Sequence, residues 1–144
     1  MLAPHPFGHE ITSQSLSETF SGLRQWEDRY RQLILLAKKV PALDPQLKTA
    51  DIELSGCENR VWLGGELEEN GGMHFYGDSE GRIVKGLLAV ILTTVEGKTP
   101  KEILQTDPLA LFDTLGLREQ LSTSRASGLS ALAAGVLALA RQYT

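Results

Sequence analysis

One side chain in this sequence can act as a strong nucleophile near neutral pH: Cys57, its only cysteine. A lone thiol cannot form an internal disulfide, so nothing points to an oxidising compartment. Thiol–disulfide oxidoreductases usually present two cysteines, and this chain holds no resolving partner. The other candidates for chemistry are three histidines, His5, His9 and His74. His5 and His9 are four residues apart, the spacing of two ligands on one helix face, but Pro6 and Gly8 between them oppose a helix. A metal site needs three or four ligands, and these histidines show no ligand spacing. His74 reads as a half-exposed strand residue without a catalytic partner. A cysteine hydrolase would want a histidine paired with Cys57, and no sequence feature places one there. On the residues alone, two readings of Cys57 stay open. It is either a small buried hydrophobe, as free cysteines often are, or a thiol that exchanges with another protein's sulfur.

The elements around the cysteine favour a loop. Ile52 and Leu54 before it, and Val61, Leu63 and Leu67 after it, alternate with a period of two, which predicts half-buried strands. Ser55, Gly56, Glu58 and Asn59 lie between, the small and polar residues that turn a chain. Cys57 is therefore expected on a connection held at both ends, where function is more often carried than on the strands themselves. Gly56 can rotate freely, so the resting loop is expected to tuck the thiol against its apolar flanks. A second hairpin strand follows over 73–77, joined through Asn70-Gly71, a strong turn signal.

Helices are expected on both sides of this region. Ahead of it, a short one runs from Thr12 to Leu23. A longer one carries Trp26, Tyr30, Leu33 and Ala37 as its apolar stripe and stops before Pro41. Behind it, Asp78 or Ser79 is expected to cap a helix over 82–96 that is apolar almost all round and so belongs at the centre of a fold. Thr99-Pro-Lys-Glu102 reads as a capping box with proline at the first helical position. Further helices start at Asp107 and after Ser122. Segregated elements in this order predict an α+β fold, with about three antiparallel strands packed against helices. The first eleven residues read as a flexible tail and the rest of 1–144 as one domain.

Composition narrows the function classes. Hydrophobic residues make up 42% of the 144, and 14 basic against 18 acidic residues give a net charge of −4. No basic patch emerges, so nucleic acid is not expected as the partner. The N-terminus lacks the basic and apolar regions of a signal peptide, and the longest apolar run, Ala131 to Ala140, is short of the roughly 20 residues of a membrane span. A soluble, cytoplasmic protein is expected, with no membrane contact. Lys38, Lys39, Lys85 and Lys98 read as solvated or helix-end residues, so neither pyridoxal phosphate nor a metal is expected on this chain.

Gly56-Cys-Glu-Asn-Arg-Val-Trp-Leu63, Gly77-Asp-Ser79, Ile83-Val-Lys-Gly-Leu-Leu-Ala89 and Ser124-Arg-Ala-Ser-Gly-Leu129 together resemble the SufE family of sulfur acceptors. Trp26-Glu-Asp28 and Tyr30-Arg-Gln-Leu-Ile34 extend the likeness toward its CsdE branch. The resemblance runs from about Phe7 onward with its motifs in order. It implies a fold similar to that of the iron–sulfur scaffold protein IscU. It also implies a partner, a pyridoxal-phosphate cysteine desulfurase of the SufS or CsdA type, whose persulfide sulfur Cys57 accepts and passes to a downstream sulfur acceptor protein. The chain would then be a sulfur-transfer accessory protein with a persulfide intermediate rather than a stand-alone enzyme. Arg125 matches an arginine of the family's Ser-Arg segment and is a candidate for ordering the cysteine loop. Arg60, three residues from Cys57, is a candidate for favouring its thiolate, with Glu58 opposing. An interaction module of the same fold, in which Cys57 is incidental, is the alternative.

Overall fold

The computed structural model describes all residues from Met1 to Thr144. Six helices and one hairpin make up the chain in the order α1 (Ser13–Ser21), α2 (Trp26–Ala37), β1 (Val61–Leu67), β2 (Met73–Ser79), α3 (Arg82–Val95), α4 (Pro100–Leu104), α5 (Ala110–Thr114) and α6 (Thr123–Arg141). The α+β class agrees with the alternation and helical periods of the sequence.

Helix α3 is the axis of the molecule. From Ile83 to Val95 every residue except Lys85 is buried, as its nearly unbroken apolar sequence requires. It packs against α2, α6, β2, α1 and α5. Each large aliphatic side chain buried this way stabilises by roughly 1.5–3 kcal/mol over an exposed one, so the helix gathers other elements from all sides. The approach of α2 is close. A Cβ on Gly86 would lie 2.4 Å from the Leu33 carbonyl oxygen, so only glycine lets the two backbones meet there. Helix α6 has the length of a membrane span and a mean hydropathy of 1.2, but it lies along α3, α4 and β1 and buries Leu129, Leu132, Val136 and Ala140 against them.

The sheet has two strands where about three are expected. β1 and β2 pair antiparallel, with Val61 opposite Ser79 and Leu67 opposite Met73. The third is reduced to a bridge between Glu53 and Trp62, fastened by Leu54 N–H to Val61 C=O at 2.8 Å and Leu63 N–H to Ile52 C=O at 2.9 Å. A 3₁₀ turn at Pro45–Leu47 and a further turn reaching Ile52 consume the preceding chain, so too few extended residues remain for a longer ladder.

Both faces of the hairpin are covered. Val61, Leu63, Met73 and Phe75 join the main core, while Trp62 and Tyr76 form a second small core with Leu43, backed by Ala3, Leu47 and Ile52. Two expectations are corrected here. His74 is 1% exposed rather than half-exposed, because residues of the N-terminal segment lie over its face of the sheet. The first eleven residues are accordingly not a loose tail: Phe7 is fully buried in the main core, and the Pro6 carbonyl accepts from the amides of His9, Glu10 and Ile11 in a tight turn. Proline and glycine exclude a helix there without preventing the segment from packing.

Asp78 is also reassigned. The N-cap of α3 is Gly81, without a side-chain cap. Asp78 is instead buried and accepts from the Leu43 and Ser79 amides at 3.1 and 2.8 Å, with Lys85 and Lys48 at 3.1 and 3.5 Å. Burial alone would raise its carboxyl; these donors outweigh burial and hold it below the usual carboxylate range. The connector over 43–48 is thereby pinned to the sheet. By contrast, the capping box at Thr99 and Glu102 forms as its sequence predicts.

Candidate functional site

Cys57 stands near the tip of a loop whose base is closed three times. The Leu54–Val61 backbone bond closes it first. The Arg60 guanidinium then forks onto Glu53, Nη2 to Oε1 at 2.8 Å and Nε to Oε2 at 3.1 Å, while lying 4.9 Å above the Trp62 ring. Finally, the Arg60 carbonyl accepts from Glu80 N–H at 3.0 Å and Ser79 Oγ at 3.2 Å, which ties the loop to the turn before α3. Arg60 thus braces the stem of the loop. It does not face the thiol, contrary to the role its spacing from Cys57 suggests, because Glu53 lies within reach of its fork. That pairing raises the Arg60 pKa and lowers that of Glu53.

Above this stem the loop is free to bend. Gly56 adopts φ = +83°, in the left-handed region that glycine enters without penalty, and no atom lies within 4 Å of where a Cβ would sit. The turn delivers Cys57 half-buried against the main core, with Sγ 3.9 Å from the Ser55 carbonyl. Burial pushes the thiol above its ordinary pKa, since a thiolate is poorly stabilised away from water. Glu58 and Asn59 are exposed beside it.

Beyond the thiol opens a cleft of about 360 Å³. Cys57, Glu58 and Asn59 form one wall; Ser122, Ser124 and Arg125 form the other, with Val84 and Gly128 also lining it. The second wall is the N-terminus of α6, where Ser122 caps the helix through its hydroxyl and the Arg125 amide, 3.4 Å apart. A helix N-terminus carries partial positive charge. Arg125 adds a full one, held in place by Nη1–H donating to Tyr30 Oη at 2.7 Å and by the Tyr30 ring 5.1 Å from its Cζ. Of the sequence candidates, Cys57, Glu58 and Arg125 therefore meet at one cleft, and Arg60 stands outside its lining. Asn59, Ser122 and Ser124 were missed. The Ser122-Thr-Ser124 run preceding an apolar helix signals a cap, but not that the cap faces a thiol far away in sequence.

The remaining titratable cluster lies at the other end of α3. Glu96 collects all three histidines: His74 Nδ1 is 2.6 Å from Oε2, His5 Nε2 is 3.4 Å from Oε1 and His9 Nε2 is 3.6 Å from Oε2. The nitrogens of His5 and His74 and the Glu96 oxygens lie within 4.8 Å of one another, a spacing at which a metal could be held. Their hydrogen bonds have another order. His5 Nδ1 accepts from the Phe7 amide at 3.1 Å, so Nε2 carries its proton and donates to the Phe75 carbonyl at 2.7 Å. Both nitrogens of His74 face acceptors, Glu96 and the Leu2 carbonyl. The group is built as a clasp for the N-terminal segment, with its nitrogens already engaged.

Comparisons with known proteins bear on this cleft. Residues 14–140 match the model of the SufE family, described as an Fe–S metabolism associated domain. The chain is 60% identical over 141 residues to the sulfur acceptor protein CsdE of Escherichia coli K12, covering 98% of this chain and 96% of that one. It is 38% identical over 133 residues to an uncharacterized SufE-like protein of Rhizobium etli, covering 88% and 90%. A solution structure of a hypothetical protein from Thermus thermophilus superposes with a TM-score of 0.71 at 23% identity, over 99% and 97% of the two chains; at that identity the likeness is one of fold.

Proposed function

Because this chain belongs to the SufE family, we propose that it is a sulfur acceptor that takes persulfide sulfur onto Cys57 from a pyridoxal-phosphate cysteine desulfurase. The observation that carries this reading is the placement of its one thiol: near the tip of a glycine-hinged loop, on a braced stem, beside an open cleft. A thiol meant only to fill the core would need neither the hinge nor the cleft.

The chemistry is thiol exchange. The desulfurase presents a cysteine persulfide, Cys–S–SH. The Cys57 thiolate attacks the outer sulfur; a new S–S bond forms at Cys57 as the old one breaks, and the partner's cysteine leaves as a thiolate. Cys57 gives up one proton and the leaving thiolate regains one, so no external oxidant or reductant is consumed. At rest, burial disfavours the attacking thiolate. Swinging the loop outward about Gly56 would remove that penalty, and the α6 N-terminus with Arg125 would favour negative charge on sulfur. The partner draws the loop outward only if it binds that form better than the resting one. Acceptance clears the desulfurase for another turnover and so stimulates it. The sulfur then passes to a downstream acceptor protein, in iron–sulfur cluster assembly or another sulfur-using pathway. A reducing, cytoplasmic setting fits a single exchange thiol.

Incubation with desulfurase and free cysteine, followed by intact mass, tests the proposal. Wild-type protein gains sulfur at Cys57, and Cys57→Ser gains none while keeping its circular dichroism spectrum and melting temperature. Labelling of the serine variant would show that another atom carries the sulfur. No gain by the wild type would leave the interaction module as the reading.

A further inference from the structure

The cleft at Cys57 does not end there. It shares Asn59, Val84 and Arg125 with a second depression of about 130 Å³. That one in turn shares Ile34 and Arg82 with a third of about 220 Å³, bordered by Lys38 and Lys85. A continuous groove therefore runs from the thiol along the α2–α3 seam. Its floor is partly apolar, through Ile34, Ala37 and Val84. Its charge is one-sided: four cations line it, against one carboxylate, Glu58, at the cysteine end.

Three of those four cations lack a carboxylate partner. Lys85 is the exception, paired with Asp78, which it shares with Lys48 from outside the groove. Lys38, Arg82 and Arg125 form no ion pair, and the only side-chain partner among them is the neutral Tyr30 hydroxyl on Arg125. A protein of net charge −4 thus lines one groove with unpaired positive charge, aimed at its sulfur-accepting residue. What must reach Cys57 is a persulfide on a protein, so whatever fills the groove is continuous with that protein's chain. We propose that the groove docks an acidic, partly apolar segment of the desulfurase, whose carboxylates pair with Arg82 and Lys38 while the adjoining persulfide is brought to Cys57. This rests on the sulfur-acceptor reading above. Complementary charge of this kind chiefly speeds encounter and fixes register, and salt weakens it.

The test measures the rate of Cys57 sulfur loading against acceptor concentration with a catalytic amount of desulfurase. Lys38→Glu/Arg82→Glu is expected to raise the half-saturating concentration at least tenfold with less than a twofold change at saturation. Lys38→Gln/Arg82→Gln should fall between that variant and the wild type. Raising salt should slow wild-type loading and barely affect the reversed variant. Poly-glutamate, as a stand-in for the acidic segment, should inhibit the wild type but not the reversed variant. Lys101→Glu/Arg141→Glu, which adds the same negative charge away from the groove, should load like the wild type. Equal loading by all four proteins would overturn the groove while leaving the acceptor reading intact, as would an equal loss in the Lys101→Glu/Arg141→Glu control. Absence of loading in the wild type itself would overturn both.

Discussion

Replacing Gly56 with alanine isolates the hinge of the cysteine loop. At φ = +83° an L residue with a Cβ costs about 1–2 kcal/mol relative to the right-handed region. Nothing lies within 4 Å of the new atom, so the penalty is conformational and not steric. It falls on the half-buried loop, because an outward loop is released from the φ that seats Cys57 against the core. A bias of about 1–2 kcal/mol changes a two-state ratio roughly 5–30-fold. While the tucked form dominates, alkylation of Cys57 by iodoacetamide should accelerate by the same factor. The thiol's burial adds to this in the same direction: the pKa that burial raises falls as the sulfur meets water. The assay is the alkylation rate of wild type, Gly56→Ala and Gly56→Asn by mass spectrometry at fixed pH, with the unfolded chain as the upper limit. Asparagine tolerates the left-handed region better than alanine, so its rate should lie between the other two. A melting temperature lowered in Gly56→Ala with an unchanged alkylation rate would refute the reasoning, since the positive φ would then persist in the exposed loop.

Two further outcomes concern the frame of the site. Glu96→Ala removes the centre of the N-terminal clasp, and deleting one partner of a buried pair costs about 3–5 kcal/mol; faster hydrogen exchange at the Phe7 amide would report the release. Burial alone would raise the Glu96 carboxyl, but bonds from His5, His74 and the Phe75 amide outweigh it and set it below the usual range. Its contribution is therefore complete above the ordinary carboxylate value of about 4.3 and is lost as pH falls through the lower folded value. Wild type and Glu96→Gln should differ at neutral pH and converge in acid, and a constant gap down to strongly acid pH would contradict this assignment. Gly86→Ala should destabilise by about 1–3 kcal/mol through overpacking, because its Cβ would press on the Leu33 carbonyl at 2.4 Å. An ordinary exposed helix position would gain roughly 1 kcal/mol from the same change, so stabilisation on thermal unfolding would show that α2 yields freely.

What the sequence determined by itself is what depends on neighbours along the chain. The apolar run of α3, the stripe of α2, the Thr99–Glu102 capping box and the Asn70-Gly71 hairpin are local patterns, and each is found where its period or turn chemistry puts it. The same logic set Cys57 on a loop between extended segments. Tertiary structure decided what lies across from those segments. Arg60 turns to Glu53 and not to the thiol, Arg125 reaches Tyr30 from ninety-five residues away, and the N-terminus folds onto Glu96 through histidines that look unrelated in sequence. The third strand shrinks to one bridge for the same reason, since its pairing depends on how the connector over 43–48 is pinned by Asp78. Ion pairs and side-chain hydrogen bonds have no period along a chain. They are chosen by which groups the packed helices and hairpin bring within about 3 Å of one another, and that choice exists only once the backbone has closed.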